Sequence, residues 1–569
     1  MDKEAIIQSL RELAQYLELD GENPFKIRSY LKSAEILEHI QEPIETLIES
    51  GTLRNLEGIG EAIEKKILAW YHDEPVPALE KVKSKYPSSL LELFSVQSLG
   101  AKRIRSLFDN LQITNLDDLY KACLEGKVST VTGFNKKIEN KIIESIDLLK
   151  QWKGQFLLSH GYDVAKKMIE KLKNILDRDN IYIAGSLRRY EETIRNINLL
   201  LLTEDKETIK QNLHALFPEI NKENIKSFVS LKCFDIPVLI NFTNNDDFGT
   251  QFVWNTGSKH FVDLLIQHCE QKNLCLSQQG LLNPNGIPIN CNTEENFFEL
   301  IGLPYLSPEL RNIYDDMGFV YKNADNLVKM EDIQGIVHCH TLYSDGRNSI
   351  SELAEYCIHR GFRYIVICDH SQSAGYANGL SIEDIKKQHE EIEKLNSIYK
   401  PFQILKGIEC DIKSDGSLDY PNEILDAFDV VIGSIHTKLD MDKTTATQRL
   451  LKAIKNPHLD ILGHISGRLL LSRKDYPLEM DTLLKACSEH NVSIEINANP
   501  QRLDIDWKNI YKSKKYNIKY TISVDAHNME GIEDVMYGVY IARKGILRPN
   551  EILNCKNVED FKNWFKKKI

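Results

Sequence analysis

Along the first 150 residues the apolar positions recur at intervals of three and four, as in Ile6, Leu10, Leu13 and Leu17. That period turns one face of each segment toward a core, so residues 1 to about 150 are predicted to be helices joined by short loops. From 181 the pattern changes: IYIAGSLRRYEETIRNINLLLL is an apolar strand, a Gly-Ser turn with arginines, then a second strand. After 333 apolar runs alternate with helical stretches, the mark of a β/α architecture. Strands are predicted at 335–340, 363–368, 403–410, 429–434, 459–463, 492–497 and 519–524. Each ends in, or just before, a residue able to bind a metal or to steer a neighbour that does. In order these are His338 and His340, Asp369 and His370, Glu409, His436, His464, Glu495, and Asp525 with His527. Active sites of parallel barrels lie at the C-terminal ends of the strands.

Length and charge set the frame. A chain of 569 residues exceeds one ordinary core and predicts about three to five domains. The opening MDKEAIIQSLRELAQYL is amphipathic and charged, with neither the apolar heart of a signal peptide nor a run of about 18 uncharged residues for a membrane span. A cytoplasmic protein without membrane contact is the expectation. Eleven cysteines stand singly with no C-x-x-C, which argues against a disulfide framework and a zinc ribbon. A net charge of −12 is unlike a protein that grips duplex DNA by general electrostatics. Residues 51–150, however, hold 15 Lys or Arg against 14 Asp or Glu, so the acidic excess lies elsewhere.

Within that helical region one pattern recurs at roughly 40-residue spacing: an apolar residue, a tight glycine turn, then a lysine-bearing helix. It occurs as Leu56-Glu57-Gly58-Ile59-Gly60, as Leu99-Gly100-Ala101-Lys102 and as Thr132-Gly133-Phe134-Asn135-Lys136. Such a hairpin offers backbone N–H groups at a helix N-terminus to a phosphate and needs glycine for close approach. One copy is only a turn; three predict contact with the nucleic-acid backbone through Gly58, Gly60, Gly100, Lys102, Gly133 and Lys136.

In the C-terminal half, GIVHCHTLYSDGRNSI delivers His338, His340 and Asp345 within one short stretch. Residues two apart on a strand share a face, so the two imidazoles converge while Cys339 turns away. This half also holds 10 of the 16 histidines. Taken singly, His436 is readable as a core histidine, Glu409 as a solvent residue and Asp525 as a helix cap. Together, mixed nitrogen and oxygen ligands on one rim suit Mn²⁺, Zn²⁺ or Fe²⁺, the borderline ions that accept both donors.

The N-terminal motifs resemble those of the bacterial family X DNA polymerases, relatives of polymerase beta, whose lyase and fingers domains carry helix-hairpin-helix motifs at these places. The resemblance puts Lys66 of LEGIGEAIEKKI at the Schiff-base lysine for 5′-deoxyribose phosphate removal, with Ala62 replacing a lysine of some relatives. It puts Gly185, Ser186 and Arg189 at the turn that holds an incoming triphosphate, with Thr256, Gly257 and Ser258 as the matching segment. The family's metal-binding aspartates are missing: Asn196 and Asn198 stand for two of them, and counting back from FGTQFVWNTGSKHF places Leu239 at the third. Asparagine lacks the charge that draws a hard dication from water. Asp235 is four residues from Leu239, about 13 Å along a strand. Arg195 replaces a family glycine, and Asn255 an aromatic residue beside Trp254. Polymerising chemistry is therefore expected to be lost or very weak, with no Mg²⁺ at the palm. Residues 294–312 resemble the end of the family's thumb, and 316–332 is expected to be a linker.

The motifs HCH, SDG, CDHS, GIECDI, IGSIH, GHISGR, IEINAN and SVDAHN resemble the polymerase and histidinol phosphatase (PHP) domain, a distorted seven-stranded β/α barrel with a trinuclear metal site. Carried over, the metal ligands are His338, His340, Asp345, His370, Glu409, His436, His464, Asp525 and His527, with Arg468 as a catalytic, phosphate-side candidate. The implied fold is multidomain α+β, divided into a helical lyase-like domain (1–80), a fingers-like domain (81–150), a nucleotidyltransferase-like palm (151–250), a thumb-like domain (251–315), a linker (316–332) and a (β/α)7 PHP barrel (333–569). The implied function is DNA repair. The barrel would hydrolyse DNA phosphodiesters with three divalent metals, Mn²⁺ first with Zn²⁺ or Fe²⁺ as alternatives, as a 3′→5′ exonuclease or a 3′-end or abasic-site processor. The palm would only bind DNA, and a monomer acting on gapped, nicked or 3′-recessed DNA is expected. Three alternatives stand beside it: an active gap-filling polymerase with a proofreading barrel, a small-molecule phosphatase of the histidinol-phosphatase kind, and a non-catalytic DNA-end scaffold.

Overall fold

The three turn repeats fold alike in the computed structural model, which describes residues 3–40, 42–217, 228–233, 235–312 and 314–566. In each, a 3₁₀ segment (Leu53–Asn55, Ser88–Ser95, Val128–Thr130) leads into a turn closed by the N–H of Ile59, Leu99 or Phe134 on the carbonyl three residues back. A helix follows: Glu61–Tyr71, Ala101–Leu111 and Lys136–Trp152. The residue before each buried Ile59, Leu99 or Phe134 has a left-handed backbone: Gly58 at φ 103°, Ser98 at φ 72° and Gly133 at φ 91°. Glycine relieves that conformation at two repeats, and the middle one tolerates serine. Gly100 is not the turn residue of its repeat; like Gly60 and Asn135 it is the helix N-cap.

The chain divides into two compact units, Met1–Lys153 and Gly154–Ile569. In the first, one core runs from Leu10 and Leu13 through Ile67 and Leu90 to Leu107 and Ile142, so the expected boundary near residue 80 falls within a shared apolar interior. No helix among the described residues is long and apolar enough to cross a membrane.

In the second unit, after the helix Leu158–Leu172, comes a four-stranded sheet of β1 (Ile181–Ala184), β2 (Ile197–Leu202), β3 (Phe228–Cys233) and β4 (Ile236–Thr243), in the order β1-β2-β4-β3. The parallel β2–β4 register sets Leu239 beside Asn198. Asp235 sits in the β3–β4 turn at φ 66°, its carboxylate 2.7 Å from Lys232.

Seven parallel strands close the barrel: β5 (Gly335–Cys339), β6 (Tyr364–Ile367), β7 (Gln403–Asp411), β8 (Val430–Ser434), β9 (Ile461–Leu462), β10 (Ser493–Asn497) and β11 (Tyr520–Ala526). They pair in sequence, and β11 returns to β5. Phe561 and Phe565 of the helix Val558–Lys566 pack with Tyr364, Leu405, Val430 and Ile461, near the strands' N-terminal ends. Each buried phenylalanine contributes roughly 1.5–3 kcal/mol there, and the C-terminal ends stay clear for chemistry.

The expected linker at 316–332 is instead a packed belt. Met317–Asn323 is helical, Val320, Leu327 and Val328 are buried, and the Val328 N–H donates to Leu547 O at 3.0 Å. Its acidic residues masked an apolar face whose partners lie more than two hundred residues away.

Candidate metal centre

Strand β5 brings its two histidines together by breaking its own regularity. His338 has φ 69°, and on the adjacent β11 Asp525 has φ 52°; the parallel pairing of β5 shifts register on both sides. Left-handed backbone at non-glycine residues costs of order 1–3 kcal/mol and persists where the surroundings enforce it. The result is that the His338 and His340 rings lie 5.1 Å apart, both fully buried, while Cys339 enters the apolar core.

Three sets of potential ligand atoms, each within 4.8 Å of one another, surround this pair: His340, Asp345, His370 and His527; His338, His340 and Asp525; and His370, Glu409 and His436. The ninth expected ligand, His464, places Nε2 2.9 Å from Glu409 Oε1. Glu409 is the hub. Its Oε1 is also 3.2 Å from His436 Nε2, and its Oε2 lies 3.0 Å from His370 Nδ1, 3.5 Å from His338 Nε2 and 3.7 Å from His340 Nε2. Glu409 Oε2, His338 Nε2, His340 Nδ1 and His370 Nδ1 are buried without hydrogen-bond partners. Buried polar atoms are rarely left so, and borderline divalent cations are the acceptors that this imidazole and carboxylate set suits.

A surrounding layer fixes the ligands. Glu495 takes His338 Nδ1 at 2.6 Å, and Asp411 takes His436 Nδ1 at 2.6 Å, which leaves each Nε2 aimed inward. Asp369, at the end of β6, is a clamp: Thr341 N–H and Oγ1, Ser344 Oγ and Gln388 Nε2 all donate to it. It thereby holds the loop that carries Asp345.

Burial opposes charge on Glu409, yet the imidazoles of His436, His338 and His370 hold its carboxyl well below the usual range. Burial would likewise discharge His436, but Glu409 and Asp411 raise it to about 10. His527 is raised against burial to about 9 by Asp345 and Asp525, whereas burial, with His527 and His370 nearby, lowers His340 to about 4. Metal ions must displace the protons of the raised histidines. Affinity is therefore expected to climb with pH until about 9 to 10, where His527 and His436 lose theirs. Titration calorimetry of Mn²⁺ at neutral pH in buffers of different ionisation enthalpy should show net proton release; a heat independent of buffer would contradict this.

Arg468, expected near the phosphate, does not point into the cluster's hydrogen bonding. Its Nε donates to Arg502 O at 2.9 Å, and its Nη2 to Leu503 O and, at 2.7 Å, to Glu192 of the Gly-Ser turn segment. The arginine beside the cluster is Arg502, absent from the sequence reading. Its Nε lies 3.2 Å from Asp525 Oδ2, and its Nη1 is buried without a partner. The only hint was an arginine three residues before the buried Ile505 in NPQRLDI, a pattern shared by many loops.

The palm site is assembled, with its arginines held largely by the chain's own groups and Arg189 Nε buried without a hydrogen-bond partner. Gly185, at φ 67°, packs so closely on Asn198 that a Cβ would fall 2.2 Å from its amide. Ser186 follows in the short helix Gly185–Arg188. Arg189 donates to Thr256 O beside Gly257, and Ser258 caps the helix Lys259–Gln271. Arg188 grips Glu294 with both terminal nitrogens, at 2.8 and 2.6 Å, and Arg311 adds a third bond at 2.6 Å. In the first unit, Lys66 donates to Ala62 O at 2.9 Å and lines a cavity of about 330 Å³ with Val76 and Pro77. Lys102 is exposed, and Lys136 is paired with the buried Glu139 at 2.5 Å.

Fold and site together define a class: a metal-type β/α barrel joined to a helix-hairpin-helix and polymerase-β-like framework. Sequence comparison agrees, matching a helix-hairpin-helix domain at residues 1–73, a SAM-like helix-hairpin-helix tandem at 90–147, a DNA polymerase beta thumb at 252–312 and a PHP domain at 337–499. The chain is 32% identical over 578 residues, all of both chains, to the DNA polymerase/3′-5′ exonuclease PolX of Bacillus subtilis. It is 28% identical over 244 residues to a probable phosphatase of Thermoanaerobacter sp., covering 41% of this chain and 94% of that one. The chain belongs to the family X DNA polymerases that carry helix-hairpin-helix domains, a thumb and a PHP domain. PHP domains are metal-dependent, and the helix-hairpin-helix and thumb elements are DNA-binding modules.

Proposed function

We propose that this protein is a DNA-repair nuclease whose barrel hydrolyses phosphodiesters from the 3′ end of gapped, nicked or recessed DNA, while its palm binds DNA without polymerising. The observation that carries the reading is the contrast between the two centres: Glu409 in reach of five imidazoles, and a palm whose metal positions are Asn196, Asn198 and Leu239. On this reading His338, His340, Asp345, His370, Glu409, His436, His464, Asp525 and His527 hold three divalent ions, Mn²⁺ in the first instance. When bound, such ions supply Lewis-acid polarisation of phosphate and a water nucleophile at neutral pH. The chain's own residues do the rest. Glu495 and Asp411 keep His338 and His436 in the tautomer that presents Nε2, and Arg502, anchored on Asp525, offers its buried Nη1 to a phosphate oxygen. The helix-hairpin-helix turns at Gly58–Gly60, Ser98–Gly100 and Gly133–Asn135 take the DNA backbone, and Lys66 is the candidate lyase nucleophile.

Arg502→Ala is expected to lower kcat/KM on DNA by about 100-fold, with Arg502→Lys recovering part of the loss, because a charge-assisted donor is removed where the transition state gains charge. Steady-state kinetics with a 3′-recessed oligonucleotide checks it, and an unchanged rate would remove Arg502 from the site.

A second reading, a phosphatase of small monoesters, draws support from the phosphatase relatives, one of which matches 41% of this chain. Offering the Mn²⁺-loaded protein a labelled 3′-recessed oligonucleotide and, separately, histidinol phosphate decides between them. Cleavage of the oligonucleotide supports the nuclease; cleavage of the monoester alone defeats it.

A further inference from the structure

Among the described residues few large apolar side chains are exposed, and two of them stand on the loops that carry the metal cluster. Leu342, 64% exposed, follows His340, and Tyr376, also 64% exposed, lies on the loop after His370. The Tyr376 ring forms T-shaped pairs with two candidate ligands, 5.9 Å from the His370 ring and 6.2 Å from that of His436. Its hydroxyl is close enough to Asp411, Glu409 and Asp345 to feel their charge, and close enough to Arg502 to feel the opposite one. The ring therefore stands at the rim of the cluster, with most of the residue open to solvent.

The loop beneath it is not free to collapse. Ser371 and Leu380 bridge as a parallel pair, Gln372 N–H donates to Tyr420 Oη at 3.0 Å, and Ser373 N–H to Asp419 at 2.7 Å. Ser373 Oγ donates to Asp411, itself the partner of His436, and Asn378 Nδ2 to Ser344 O at 3.4 Å. Gly379 passes so near Ser371 O that a Cβ would lie 1.8 Å from it. A fixed backbone under a rigid, exposed aromatic is pre-organised for a flat ligand and loses little entropy on contact.

We propose that Tyr376 is a stacking platform for the base of the 3′-terminal nucleotide, a binding subsite that selects DNA ends over small phosphate esters. The inference rests on the nuclease reading of the barrel. Arg502 and the cluster hold the phosphate, and Tyr376, one ring beyond them, takes the attached base; Leu342 is the exposed apolar residue on the loop after His340. Stacking on an aromatic side chain is tolerant of base identity, so the subsite imposes a preference for a base, not for a sequence.

The test uses two recessed oligonucleotides that differ only at the 3′-terminal residue, one bearing 2-aminopurine and one an abasic tetrahydrofuran, each with a terminal phosphorothioate for binding and a normal linkage for turnover. The metal-loaded wild-type protein should quench the 2-aminopurine fluorescence on binding and show a KM about tenfold lower for the base-bearing end. In Tyr376→Ala the quench should vanish and the KM ratio fall to about one, and Tyr376→Phe should restore both. A quench and ratio unchanged in Tyr376→Ala overturn the subsite, as does an equal rise of KM on both ends. If wild-type protein cleaves neither oligonucleotide, the nuclease reading fails, and the quench alone decides the subsite.

Discussion

Glu409→Gln is expected to leave a folded protein that no longer hydrolyses its substrate. The replacement is nearly isosteric, so the barrel should keep its packing. What changes is the charge at the hub: the carboxylate lies within 3.7 Å of nitrogens from His338, His340, His370, His436 and His464. Gln provides one neutral oxygen and an amide whose N–H groups oppose any cation the imidazoles would share. Even residues that only orient ligands are worth about 10–100-fold in metal affinity, so loss of the hub should weaken Mn²⁺ binding by more than about 100-fold. Metal content after dialysis, circular dichroism and turnover would be measured together. Full activity with a native metal complement would show that Glu409 is a bystander.

The second large effect is expected at Arg468, far in sequence from the residue it restrains. Its guanidinium joins Glu192 to the carbonyls of Arg502 and Leu503, so the Gly-Ser turn segment braces the loop that presents Arg502 to Asp525. The same junction has the Tyr190 ring stacked on Tyr540 and the buried Lys544 donating to Tyr190 O at 3.1 Å. Arg468→Met fills the volume but leaves Glu192, whose side chain is only 22% exposed, without its partner. Breaking such a pair costs about 3 kcal/mol, less here for the water that Glu192 retains. Hydrolysis should fall about tenfold or more as Arg502 loses its bracing, while Glu192→Gln, which still accepts a hydrogen bond, should do less. Thermal unfolding and kcat report the two effects separately. An Arg468→Met protein with wild-type kcat would dismiss the brace. If the brace holds, the degenerate palm turn has a structural role in the barrel's chemistry, a reason for its persistence without metal-binding aspartates.

What was legible in the sequence were features with local signatures. The seven barrel strands show as apolar runs with a potential ligand or its neighbour where each run ends, so β5 to β11 follow from pattern, while the nine-ligand set, Asp345 included, came from the PHP resemblance. Counting back from FGTQFVWNTGSKHF put Leu239 at the family's third metal position, but that it lies beside Asn198 is given only by the β2–β4 pairing. What stayed hidden depends on partners supplied by folding. Arg468 and Glu192 are 276 positions apart, and nothing near either announces the other. Arg502 becomes meaningful only because the strained turn at Asp525 brings a carboxylate to it. Ser98 occupies a left-handed turn that composition reserves for glycine, and the supposed linker conceals Val320 and Val328 behind its acids.

The proposed division of labour between barrel and palm can be tested in one tube. A 5′-labelled primer on a longer template, with a recessed 3′ end, would be incubated with the purified protein, Mn²⁺ and all four deoxynucleoside triphosphates, and the products sized. A working barrel beside a silent palm predicts a ladder of shorter labelled strands and none longer than the primer. Template-directed extension, persisting in Glu409→Gln, would contradict it.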